Sequence, residues 1–271
     1  MSLTPEAIQL ITDTALIANG KPLPTFMPTA ILPEGAKIFD LERFAAGRSR
    51  FRGIFSTNSL LDFGKYVTDR AVVNAQGFID QDEMSCLVMF NIGDAVAPGH
   101  ADDRAALKLK PTAGYKAVCE IGGNTLSQKA LSDWIEDWNA SLKAVGEDLQ
   151  DISIVKAIAA VRTITIKASS ESDHTVRETG ASRSAMDAIE ASSKETLPTS
   201  LVFSVVPFEG LSVREIVLRI SVITSGPVPA LKLRWIGEEV QREEIAQEFK
   251  SVLEAQVGEA AKLALGTFNP N

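Results

Sequence analysis

His100, Asp102, Asp103 and Arg104 gather an imidazole, two carboxylates and a guanidinium within five residues, directly after Pro98-Gly99, a turn-forming pair. Imidazole and carboxylate together bind divalent metals. A guanidinium clamps phosphate or carboxylate through two parallel hydrogen bonds. The same residue types also build an ordinary surface turn, in which an aspartate caps backbone N–H groups and pairs with Arg104. The residues favour the turn, then a ligand-binding loop. The metal reading is the weakest, because the one other histidine, His174, lies in a polar segment where nothing fixes its position. His100, Asp102, Asp103 and Arg104 are therefore the ligand-binding candidates, with no metal and no cofactor expected.

Nucleophilic catalysis finds no footing. A serine or cysteine nucleophile needs a histidine base beside it, and no G-x-S-x-G elbow occurs. Asn91-Ile92-Gly93 and Ile121-Gly122-Gly123-Asn124 are turns without the Gly-Lys-Ser/Thr that makes a phosphate loop. Arg162, Lys167, Arg177 and Arg183 form a sparse basic stretch with no aromatics between them to stack bases. No catalytic residue is named, and the reading leans away from an enzyme.

The elements that must position these residues are clearest from Leu197 to Trp235. Three runs alternate with period two: Leu201, Phe203, Val205; Ile216, Leu218, Ile220, Val222; and Leu231, Leu233, Trp235. Successive side chains of a strand point to opposite faces, so these runs predict a half-buried antiparallel meander over about 199–236. Val217, Arg219, Lys232 and Arg234 then fall on the opposite face. The three cations could form a basic strip there, although solvent-facing positions explain them more simply.

Elsewhere, Phe51–Phe55, Met84–Asn91, Tyr115–Ile121 and Val161–Ala168 read as strands. Ser59–Thr68 reads as a helix. Thr125-Leu126-Ser127-Gln128 reads as a capping box opening a helix to about Lys143. Ile154–Ala160 and Glu239 to about Val257 read as helices. At the amino end, Thr4-Pro5-Glu6 is a helix start, with Ile8, Ile11 and Leu16 on its apolar face and Gly20 as its stop. A Pro-rich arm follows. An isolated helix of this length is marginal in water, so Ile8, Ile11 and Leu16 are the oligomer-interface candidates. Residues 169–196 are rich in Ser, Thr, Glu and Ala and form a polar insertion.

The expected fold is α+β, with a mixed, largely antiparallel sheet, flanking helices and an N-terminal helical arm. The expected domains are 1–32 (helix and arm), 33–265 (one α+β domain) and 266–271 (tail). The chain of 271 residues is acidic, with 35 Asp and Glu against 27 Lys and Arg and a net charge of −8. That balance argues against duplex phosphate as the main partner. Cys86 and Cys119 make no disulfide framework, which suits a reducing compartment. There is no signal-peptide pattern and no apolar run long enough to cross a membrane. The bacterial host cytoplasm is the expected location.

Several patterns in order along the chain resemble the YfdQ-like family of phage and prophage proteins of unknown function. They are Arg52-Gly53, Phe63-x-x-Tyr66-Val67, Phe90-Asn91, Pro98 to Ala105, Leu126-Ser127-Gln128, Trp134 to Asp137, Leu197-Pro198, Pro207 to Gly210 and the strand bearing Arg219. The resemblance covers roughly Pro33 to Trp235. It implies an early-region phage protein, often encoded beside recombination or nucleotide-metabolism genes. The expectation is a non-enzymatic phage-type protein acting as a homo-oligomer, whose other partner is a host or phage protein or a small anionic ligand. Two alternatives stand: a nucleic-acid-processing accessory or a metal- or phosphate-binding enzyme of phage DNA metabolism, and capture of a small nucleotide signal at a subunit interface.

Overall fold

The computed structural model describes residues 4–19, 42–147, 149–164, 197–223 and 230–269. The chain divides into two compact units, Met1–Phe51 and Arg52–Asn271. The first unit carries α1 (Pro5–Asn19) and a single 3-10 turn, Glu42–Phe44. Thr4 caps α1, its hydroxyl accepting from the Ala7 N–H at 3.3 Å.

The second unit contains two sheets. A mixed sheet has the order β1 (Gly53–Thr57), β4 (Asp103–Lys108), β3 (Ser85–Met89), β2 (Gln76–Asp80), β11 (Lys262–Leu265). Its outer pairs, β1–β4 and β2–β11, are parallel and its inner pairs antiparallel. An antiparallel sheet has the order β5 (Thr125–Ser127), β10 (Ala230–Trp235), β9 (Arg214–Ile223), β8 (Ser200–Val205), β6 (Leu142–Val145), β7 (Asp151–Ile152). The fold is α+β, with the C-terminal meander as its most regular part.

The meander's register follows from its apolar alternation. Leu201 pairs with Leu218 and Phe203 with Ile216, while Leu233 pairs with Ile220 and Trp235 with Leu218. All of these are buried, whereas Arg219 and Arg234 are exposed. A slip of one residue would turn every apolar side chain out to water, which is why the register is so strongly specified.

Helices cover the inner faces. In α2 (Leu60–Asp69), Ser59 accepts from the Asp62 N–H, and Leu60, Phe63, Gly64 and Val67 are buried. α6 (Glu238–Val257) buries Ile245, Phe249, Leu253 and Val257, one per turn. Arg214 of β9 ties this helix to the sheet, donating to Glu244 at 2.9 Å and Glu248 at 2.7 Å. Burial works against ionising Glu248. Hydrogen bonds from Ser212 and Arg214, with the Arg214 charge, outweigh burial and hold its carboxyl below the ordinary range.

Three sequence expectations need correction. Tyr115–Ile121 is a helix, α3 (Ala113–Ile121), not a strand: the Thr112 side chain caps it, and Tyr115, Val118 and Ile121 are buried at a spacing of three. The cap of α4 (Gln128–Asp137) is Ser127, not Thr125, its hydroxyl accepting from the Ala130 N–H at 3.1 Å. Thr125–Ser127 instead pairs with β10. This helix stops at Asp137 because a 3-10 turn, Asn139–Ser141, redirects the chain so that Leu142 begins β6. Finally, Val161 belongs to α5 (Ile154–Thr163), where Ala157, Ala160 and Val161 share one buried face. The rest of that expected strand after Ile164, and the polar insertion at 169–196, lie outside the described residues.

Candidate functional site

The segment joining β3 to β4 is a loop whose two ends are tied by the Asn91 side chain. Asn91 donates through Nδ2 to Asp102 Oδ1 at 2.7 Å, and its Oδ1 accepts from the Asp103 N–H at 3.0 Å. The Ala101 N–H donates to the Asn91 carbonyl at 3.1 Å, and the Gly99 N–H to the Ile92 carbonyl at 2.8 Å. At the tip, Asp94 accepts from the N–H groups of Ala97 (2.7 Å) and Val96 (2.8 Å). These two bonds, Ala97 first, hold the Asp94 carboxyl below its ordinary range. Two glycines permit this closure. Gly93 sits at φ +72°, and a Cβ there would lie 2.2 Å from the Ala97 carbonyl oxygen; a Cβ on Gly99 would lie 2.0 Å from that of Asn91.

The four candidates do not converge. His100 is exposed, and Asp102 is spent on Asn91. Asp103 and Arg104 are consecutive residues of β4, so they point to opposite faces. Asp103 points inward, with 5% of its surface exposed, and forms an ion pair with Arg70 just past the end of α2. Arg104 Nε donates to the Ala101 carbonyl at 2.5 Å and closes the loop from the other side. Among the described residues no group of three or more His, Cys, Asp and Glu side chains is placed to hold a metal ion. Of the other candidates, Ile8 and Ile11 are exposed on α1, at 52% and 57% of their surface. The Leu16 side chain lies outside the described residues.

The sequence reading missed two partners in this region. Arg70 lies 33 residues from Asp103, and no local pattern links them. Its guanidinium also lies over the Phe90 ring, 5.4 Å from the centroid, and Phe90 meets Tyr66 edge-on at 6.1 Å. Asn91 could have been found, because Asn-x-Gly opening a Gly-rich loop is a position where an amide bonds its own backbone.

A second polar cluster lies between α3 and the start of α6. Arg242 sits over the Trp235 ring at 5.2 Å, donates to Glu238 Oε1 at 2.9 and 2.8 Å, and reaches Cys119 Sγ at 3.6 Å. Tyr115 packs edge-on against Trp235 at 6.0 Å, and burial above all pushes its hydroxyl up to about 12. This cluster borders a cleft of about 530 Å³ lined by Tyr115, Phe208, Ile245 and Arg242, with Asp82, Glu239 and Glu243 exposed at its edge. Cys86 is a buried thiol of β3, pushed up to about 12 by burial, and is not poised for reaction. Among the described residues no helix is long and apolar enough to cross a membrane.

No curated protein and no solved structure matches this chain in comparison. A family model described as an uncharacterized conserved protein (DUF2303) matches residues 4–268, and the chain therefore belongs to the DUF2303 family.

Proposed function

We propose that this chain is a non-enzymatic protein that works as a homo-oligomer, binding a partner or building an assembly. Its setting is the bacterial cytoplasm of a phage-infected or prophage-bearing cell, as the YfdQ-like resemblance implies. The observation that carries the reading is α1. A helix of 15 residues exposes Ile8 and Ile11 along one side. Such a helix is marginal without a surface to bury that side. The reading gives it the surface of another subunit. The polar residues of the 91–104 loop support a role without catalysis, since Asp102, Asp103 and Arg104 are bonded within the fold.

Deleting residues 1–24 tests this. The expected result is a smaller assembly with a folded, cooperatively melting core. A truncated protein that keeps its full oligomeric mass would show that the helix is local packing.

A further inference from the structure

The outer face of the antiparallel sheet carries Lys143, Arg219, Lys232 and Arg234. Arg219 and Arg234 stand directly opposite each other across β9 and β10, and Lys232, two residues from Arg234, lies on the same face. Like charges placed directly across a ladder repel. None of the four is in an ion pair among the described residues. Glu215 and Asp151 are the acidic residues on the strands of this face. Val202 and Val217, paired across β8 and β9, supply half-buried aliphatic surface between the cations. A chain of net charge −8 thus gathers four cations, unpaired among the described residues, against two carboxylates on one sheet face.

The same unit holds the complement. Glu239 and Glu243 lie one turn apart on α6 and, with Asp82, rim the cleft described above. All three are exposed and without an ion-pair partner among the described residues, and Val240 beside them is 61% exposed. Like charges at this helical spacing also repel. The sheet face thus carries an excess of cations around half-buried aliphatics, and the α6 rim an excess of carboxylates beside exposed Val240, where the one cation, Arg242, is paired with Glu238.

We infer that the outer face of the antiparallel sheet docks the acidic rim of α6 from a second copy of this chain. The inference rests on the homo-oligomer reading and adds the surfaces of one contact. Two different patches meet, so the contact is heterologous and builds a ring or an open chain of subunits. A nucleic-acid occupant fits less well. The strand residues of the face carry no aromatic to stack a base, and the net negative charge of the whole chain repels polyanions.

Charge exchange on the full-length protein tests the contact by sedimentation velocity. Arg219→Glu with Arg234→Glu, and separately Glu239→Lys with Glu243→Lys, should each weaken self-association at least tenfold. An equimolar mixture should restore it, because each variant then presents the charge that the other lacks. The milder pair Arg219→Gln with Arg234→Gln should give partial loss and a weaker salt dependence, and it serves if a reversed variant fails to fold. Unchanged mass in the folded variants, or a mixture that does not recover, overturns the contact while leaving the homo-oligomer reading standing. A wild-type monomer overturns both. Binding of a labelled oligonucleotide that is lost in the arginine variants, with mass unchanged, assigns the face to nucleic acid and overturns the contact as well.

Discussion

The 91–104 loop and the outer face of the antiparallel sheet use similar residues to opposite ends. In the loop, Asn91, Asp94, Asp102, Asp103 and Arg104 each find a partner within the chain. On the sheet face, Arg219, Lys232 and Arg234 find none among the described residues and repel one another. A dense polar motif in sequence is thus consumed by folding, and a sparse one is left available. Local density of chemical groups is a poor guide to function unless the backbone lets the groups converge. In β4 the alternation of a strand forbids it for Asp103 and Arg104.

The contrast can be broken first at the sheet. Leu218 is fully buried, and its strand neighbour Arg219 is exposed. Leu218→Ala should cost about 2–5 kcal/mol, read by urea denaturation. Arg219→Ala should change stability by no more than about 0.5 kcal/mol. Equal effects would show that the two faces are not distinct.

Asp103→Ala should come next in size, at about 1–3 kcal/mol, because it removes the ion-pair partner of Arg70. Arg104→Ala, whose side chain returns to its own loop, should lie below that, near 1 kcal/mol. A larger loss from Arg104 than from Asp103 would mean that the loop, not the buried pair, holds β4 to α2.

Acidification should produce a smaller effect. Glu248 has a lowered pKa in the fold, so its contribution is fully present above the ordinary carboxylate value of 4.5 and is lost as pH falls through the lowered value. Glu248→Gln should flatten the loss of stability below about pH 4.5. A variant whose acid limb matches wild type would show that other carboxylates set it. The smallest effect should be chemical. Half-exposed Cys119 should react with a thiol reagent in the native protein, while buried Cys86 should react only on unfolding.

What was legible in the sequence follows one rule. The meander could be read because period-two alternation persists over three runs and fixes both face and register. Tyr115–Ile121 misled because a short, mostly apolar segment broken by Lys116 and Glu120 fits a strand as well as a half-buried helix; Thr112, a cap just before it, is the signal that decides. Thr125 misled because a box pattern fits a sequence whether or not the backbone there is already paired, as it is with β10. Arg70 with Asp103, and Arg242 with Trp235 and Cys119, depend on tertiary contact, and spacing along the chain cannot show them.

The most direct test of the central claim is the mass of the intact chain in solution, measured by light scattering across micromolar concentrations. The expected result is a multiple of the single-chain mass, reduced by Ile8→Glu with Ile11→Glu while the melting transition of the core persists. A single-chain mass at every concentration would contradict the account.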